Sequence, residues 1–557
     1  MHLRAHVLKI RRILNWAAGA IVLAVLMPSA AEAKEGVCPR PDAGTEALRP
    51  PDLYSQNGVL NVDLTYYTTV DFAGRTLFCF QTPDGTESPT LHVNPGDSII
   101  MKVTNTVPPP NHTFTMPVFM KVQCGPTRNM TPSTVNVHFH GTNTSPQCGS
   151  DEVVHTLIGS GQNFTYTLQI PPDEPPGLYW YHPHVHGISG PAVQGGASGL
   201  IVVDGIENVQ PAVAGLPERL LIIRDQPLQN PPRAPQKNVP PFWDISLNYV
   251  PVPYPDYPPA IIKMQSGARE FWRVSNSTAD TILDIQVRYD GTPQEFEAVG
   301  IDGVPTGSQD GTRKGKLLPM HDFLLAPAGR IEFILTGPTA SVANAQLITK
   351  TIHGGPASDS NPYRPIAQIV PTNAPAALPK MPPQSAPPPP ERFENLATAP
   401  VTAQRLLYFL ERPAGLQSGQ PPSAEGFLFF MVVDGHPPHV FDPNAPPDIT
   451  TTQGAVEDWT IENRTAEHHE FHIHQIHFLL LARNGVPVPK KQQQFYDTIQ
   501  VPFWTGEGDF PSVTVRMDFR GATIGEFVYH CHILDHEDGG MMNSIQVLPA
   551  GVPVVHS

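Results

Sequence analysis

The apolar residues of this chain fall into short runs broken by turn residues, and where they alternate they do so with the period of a strand. In Thr134-Val135-Asn136-Val137-His138-Phe139-His140-Gly141, Val135, Val137 and Phe139 share one face while His138 and His140 share the other. Other runs are short and rich in β-branched residues, among them GLIVVDG (199–205), LLIIRDQ (220–226), Glu270–Val274 and Arg330–Leu335. Long 3.6-residue patterns are hard to find. Proline supplies 66 of 557 residues, about twice its usual share, which implies many turns. The pattern predicts an all-β protein.

This length exceeds what one core fills and suggests roughly three domains at ~150–200 residues each. The expected units are residues 48–205, 215–370 and 399–548, with a Pro-rich linker at 371–392 that contains PPQSAPPPP and runs extended between the second and third. The middle unit has neither a His-x-His pair nor a cysteine and reads as a structural spacer. His321 and His353 within it read as ordinary surface or packing histidines.

The N-terminus carries Arg4, Lys9, Arg11 and Arg12, an apolar run from Ile13 to Met27, and Ala31-Glu32-Ala33, a small-x-small cleavage site. Residues 1–33 are expected to be a signal peptide, the run being short of the ~20 residues that span a bilayer. Arg11-Arg12-Ile13-Leu14 partly matches a twin-arginine signal, and the sequence leaves the export route open. The mature protein is expected in the periplasm or secreted, without a membrane span. Removing 1–33 takes four basic residues and one acidic one and moves the formal charge from −16 to −19, which disfavours nucleic acid and anionic lipid as partners.

Candidate chemistry gathers in EFVYHCHILDHEDGGMM, Glu526 to Met542. If its first half is a strand, His530 and His532 point one way and Cys531 the other, so one segment serves two sites. Cys531, His536 and Met541 are the ligand types of a blue-copper centre, which needs one more imidazole. In Glu467–His477 (EHHEFHIHQIH), His472 and His474 share a face, and parity places His469, not His468, on the face of Cys531. GLYWYHPHVHG (177–187) repeats the device with His182 and His184, at a strand end because Pro183 cannot donate to a ladder. Four His-x-His pairs result: 138/140, 182/184, 472/474 and 530/532. Their wide separation excludes a local zinc module, and eight imidazoles suit three coppers shared as three, three and two. The remaining cysteines, Cys38, Cys79, Cys124 and Cys148, are enough for two disulfides in an oxidising compartment. Their pairing is not fixed by sequence; Cys124 with Cys148 and Cys38 with Cys79 suit the layout of the chain.

HFHG, WYHPHVHG, HEFHIH and HCHILDHEDGGMM together resemble the four copper signatures of the multicopper oxidases, the three-domain type that includes laccases and bacterial copper-tolerance oxidases. The resemblance implies three cupredoxin-like Greek-key β-sandwich or barrel domains and four copper ions. It implies a type 1 copper on His469, Cys531 and His536 with Met541 axial, and a type 2 copper on His138 and His472. It implies a type 3 pair on His140, His182 and His532 and on His184, His474 and His530. Phe139 stands where Trp is usual and Glu470 where Pro is usual. Glu470 is expected either to face solvent without a role or to favour cationic donors near the type 1 site. His186 and His477 are extra to the pattern and expected beside the site or at the surface.

The same resemblance implies four one-electron oxidations of a small-molecule or metal-ion donor, with dioxygen reduced to water and protons supplied by Glu537 and Asp151. A laccase-like phenolic or aromatic donor is the first expectation, and a Cu(I) or Fe(II) oxidase the second, since a long Met-rich insert is lacking; Met116, Met120 and Met130 read as core filler. An axial Met541 implies a low-potential centre. A copper-sequestering or electron-carrying protein would need only His469, Cys531, His536 and Met541, so the four His-x-His pairs argue against it. Donor identity and oligomeric state are not legible.

Overall fold

The computed structural model describes residues 36–109, 118–231, 240–375, 377–413 and 426–553; the expected signal peptide and Met116 lie outside them. Near the N-terminus, a four-stranded sheet built on Val59–Val70 and Ser98–Asn105 faces a five-stranded sheet that ends in Gly177–His182 and His138–His140. Alternation does the sorting: Leu60, Val62, Leu64 and Tyr66, with Ile99, Met101 and Val103, point into a shared core with Phe139, Tyr179, Tyr181 and Ile201. An eight-stranded and a six-stranded sheet follow over residues 243–372, sharing the core of Ile262, Trp272, Val287 and Phe333, with Glu218–Pro227 in the larger one. The C-terminal pair has seven and five strands, and its core contains Trp459, Phe471, Cys531 and Met541.

The strands that read as continuous apolar runs are buried on both faces. Gly177–His182 and Gly199–Val203 turn Tyr179, Tyr181, Ile201 and Val203 into their own core. Leu178, Trp180, Leu200 and Val202 pack outward against Leu220, Ile222 and Ala328 of the central unit. That double burial removes the alternation a one-sided strand would show. Trp180 is wholly buried there, which is worth on the order of 4–5 kcal/mol in transfer free energy.

Two disulfides form, Cys38–Cys79 and Cys124–Cys148, with Cα separations of 5.6 and 5.0 Å. Cys531 is a buried free thiol. The Pro-rich segment is largely exposed coil, tied to the central unit where Met381 N–H donates to the Leu216 carbonyl at 2.8 Å and the Met381 carbonyl accepts from Gly215 N–H at 3.1 Å. His321 and His353 are exposed. Among the described residues no helix is long and apolar enough to cross a membrane.

Candidate metal centre

The strand Gly525–Cys531 pairs antiparallel with His469–Ile473, placing Phe471 opposite Cys531 and His472 opposite His530. Cross-strand partners share a face, so Cys531 and Phe471 enter the C-terminal core while His530 and His472 leave it. His532 keeps the alternation past the strand's end because its N–H donates to the Glu470 carbonyl at 2.7 Å. The short helix Leu534–Asp538 then returns His536 toward Cys531. Two backbone bonds close the turn, Met541 N–H to the His536 carbonyl at 2.9 Å and Cys531 N–H to the Met541 carbonyl at 3.0 Å.

Around the thiol, His469 Nδ1 lies 3.5 Å and His536 Nδ1 3.8 Å from Cys531 Sγ, and the two nitrogens are 3.1 Å apart. Met541 is fully buried in the same core. His469 presents its other nitrogen to Thr465 Oγ1 at 2.9 Å and to Glu411 Oε1 at 3.1 Å, and His536 Nε2 lies 3.6 Å from Glu467. Phe429 stacks on His536 at 4.4 Å. Burial pushes the Cys531 thiol up, so its thiolate needs a cation beside it to form.

On the other face the eight remaining histidines converge, all buried. Edge strand His138–His140 brings its rings against those of His469–Ile473 and its continuation: His138 stacks on His474 at 3.8 Å and His140 on His472 at 4.0 Å. Ligand atoms of His138, His140 and His472 lie within 4.8 Å of one another, as do those of His140, His182 and His532, and those of His184, His474 and His530. Outward bonds fix several rings. Nδ1 of His138 donates to Asp151 at 3.0 Å, of His182 to the Pro183 carbonyl at 2.9 Å, of His472 to the Asp497 carbonyl at 2.8 Å and of His530 to the Cys531 carbonyl at 2.9 Å.

Those tautomers aim lone pairs inward. His530 Nε2 faces both His184 Nε2 and His474 Nε2 at 3.2 Å. Nε2 of His138, His182 and His472, Nδ1 of His140 and both nitrogens of His532 are buried without a protein partner. A single such atom costs ~1–3 kcal/mol, and facing lone pairs repel, so the set fits cations held between the rings. Desolvation holds the imidazoles neutral: His184 and His530 are lowered to about 3, and His140, His182, His472, His474 and His532 fall well below their ordinary value. Neutral imidazole is the form that binds copper.

Of the two carboxylates singled out by sequence, Asp151 is fully engaged: Oδ1 accepts from His138 Nδ1 and Phe139 N–H, both at 3.0 Å, and Oδ2 from Gln475 Nε2 at 2.7 Å. Glu537 is buried 3.6 Å from His186 Nδ1. Glu470 requires a correction. It is neither at the surface nor turned to a donor; it is fully buried, accepts from Gln500 Nε2 at 2.9 Å, and its carboxyl is pushed up to about 8 by desolvation. Its parity is that of His472, which turns it away from His469. His477 is buried, bonded to the Asp302 carbonyl at 2.7 Å, and His186 is half-buried. Phe139 sits in its own core edge-on to Tyr166 at 5.7 Å. His468 rests on Phe503 outside the thiol group. Met120 packs with Leu157 and Val185, with Met130 against them. Glu411 and Asp497 carried no motif and were missed, and Glu467, which opens the histidine-rich stretch, had been given no role.

Two family models described as multicopper oxidase match the chain, one over residues 126–207 and one over 423–551, the stretches that supply these ligands. Those two stretches are multicopper oxidase domains. These domains support an oxidoreductase that uses dioxygen, and they imply copper as its cofactor. The chain is 22% identical over 472 residues to a multicopper oxidase of Staphylococcus haemolyticus, covering 82% of this chain and 81% of that one. It is 26% identical over 274 residues to the laccase of Bacillus subtilis, covering 44% and 47%. In structure it resembles a multicopper oxidase from Campylobacter jejuni, described as a metallo-oxidase, with a TM-score of 0.64, 22% identity and coverage of 91% and 96%. That likeness fits the all-β cupredoxin-like architecture.

Proposed function

We propose that this oxidase is exported and couples four one-electron oxidations of a reducing substrate to the four-electron reduction of dioxygen to water, using four coppers. His469, Cys531, His536 and Met541 would hold the type 1 ion. His138 and His472 would hold the type 2 ion, and His140, His182 and His532 with His184, His474 and His530 the type 3 pair. Bound copper supplies the one-electron redox chemistry and the position for dioxygen. The observation that carries this reading is Cys531 itself: its peptide bonds lead to His530 and His532, and its carbonyl accepts from the His530 ring at 2.9 Å, so one residue bridges the two groups. Asp151, bonded to His138, and Glu537, beside His186, are buried acids that would hold the protons that oxygen reduction consumes. A carrier has no use for the second group.

A phenolic or aromatic donor is the first reading. A Cu(I) or Fe(II) donor is favoured by one observation, the acids Glu411 and Glu467 at the outer nitrogens of His469 and His536. Glu411→Gln separates the two. The metal-ion reading expects KM for Cu(I) or Fe(II) to rise about tenfold, the effect of ~1.4 kcal/mol, with phenolic turnover unchanged. Equal KM for metal ions in both proteins rejects it.

A further inference from the structure

We propose that Arg330, from the central unit read as a spacer, is a positioning residue for the histidine cluster: acting through Asp497, it decides which nitrogen of His140 faces copper. The proposal rests on the reading of the eight histidines as a three-copper site. His138, His182, His472 and His530 turn Nδ1 outward and Nε2 inward. His140 is reversed. Its Nε2 lies 3.3 Å from Asp497 Oδ1, and its Nδ1 is the buried, unpartnered atom. The two tautomers of a neutral imidazole differ little in energy, so the acceptor on one nitrogen selects the lone pair on the other.

Asp497 is held rigidly enough to do this. Arg330 grips it through both oxygens, Nη1 to Oδ1 at 2.8 Å and Nη2 to Oδ2 at 2.5 Å, a planar fork that fixes the carboxylate's rotation. The guanidinium is itself wholly buried and pinned, Nη1 to the Ala328 carbonyl at 3.0 Å and Nε to the Leu178 carbonyl at 3.2 Å. Leu178 lies on the strand that ends in His182. The same Asp497 offers its backbone carbonyl to His472. One cation from the central unit therefore braces residues behind His140, His182 and His472. Gly141 makes room for it: its φ is +84°, and a Cβ there would collide with Arg330 Nη2 and Asp497 Oδ2. Desolvating both ions offsets much of their attraction, and a hydrophobic pair would hold the fold as well, so orientation is what the pair adds.

The test uses the full-length, copper-loaded protein. Arg330→Met and Arg330→Lys are compared with wild type by copper content per chain, titration with a competing copper chelator, the type 2 electron paramagnetic resonance signal, and the visible thiolate band as an internal check on the remote type 1 site. Expected are an unchanged thiolate band, a perturbed type 2 signal, and copper at the cluster held about 10–100-fold more weakly, with Lys milder than Met because it keeps the charge but not the fork. If the Met variant lacks the thiolate band, the Lys variant decides. Arg219→Met, which breaks another buried ion pair of the central unit (Arg219 Nε to Glu270 at 2.8 Å), is the control and should lower thermal stability without releasing copper. Chelator titrations of both Arg330 variants that overlay wild type overturn the proposal, as does equal copper loss from the Arg219 variant. A wild-type chain that holds only one copper overturns the three-copper reading instead, and this proposal falls with it.

Discussion

Asp151→Asn separates holding a histidine from handling a proton. In the native protein the buried carboxylate accepts three hydrogen bonds, from His138, Phe139 and Gln475. Asparagine keeps an oxygen for the first two and places an amide against the third. Gln475 can absorb part of that change: its Oε1 is buried without a partner, so a flip of its amide turns a donor into an acceptor, at the expense of the 3.3 Å bond its Nε2 makes to the Asp151 backbone carbonyl. The cost is the difference between charged and neutral acceptors, about 1 kcal/mol per bond and roughly 2–3 kcal/mol in all. Asp151→Ala removes all three bonds at ~1.5–3 kcal/mol each and strands the donors, a loss comparable with the ~5–15 kcal/mol that holds a typical domain together. The Asn variant is therefore the informative one. It should load copper fully and show wild-type colour and wild-type reduction of the thiolate centre by donor. Its oxygen consumption at saturating donor, followed with an oxygen electrode, should fall about 100-fold or more, the lower range of general acid–base contributions. Turnover within a factor of three of wild type would reduce Asp151 to a scaffold for His138.

Cys531→Ser should abolish the thiolate band and oxidase turnover while the far-ultraviolet circular dichroism stays that of wild type; retained turnover would exclude Cys531 as the bridge. His92, buried between Asp52 at 3.3 Å and Asp204 at 3.2 Å, is raised to about 9: burial opposes the charge, and the two carboxylates outweigh it. Since the folded value lies above the unfolded one, its contribution is whole below pH ~6.5 and lost as pH rises through ~9. Allowing for screening at the partly exposed Asp204, about 2 kcal/mol is involved. His92→Gln should lower the thermal midpoint at pH 6 and leave it unchanged at pH 10, whereas an equal loss at both rejects the ion-pair account.

Parity carried much of the sequence reading. The alternation of Val135, Val137 and Phe139 against His138 and His140, and of Cys531 against its neighbours, is imposed by strand geometry and needs no tertiary information. Lone residues were less legible. Glu470 looked like a surface acid, and its burial depends on Gln500 from a neighbouring strand. Arg330 and Asp497 lie 167 residues apart and belong to no motif, so only the packing of the central unit against the other two brings them together. Glu411 was invisible for the same reason, 58 residues from His469.

The number of electrons delivered per dioxygen bears on the whole scheme at once. Copper-loaded protein, supplied with a counted one-electron donor in a closed oxygen-electrode cell, should consume four donor equivalents per dioxygen and release no hydrogen peroxide. Two equivalents per dioxygen with peroxide in the medium, or intact thiolate colour with no oxygen uptake from any donor, would contradict the coupling of the Cys531 group to the eight histidines.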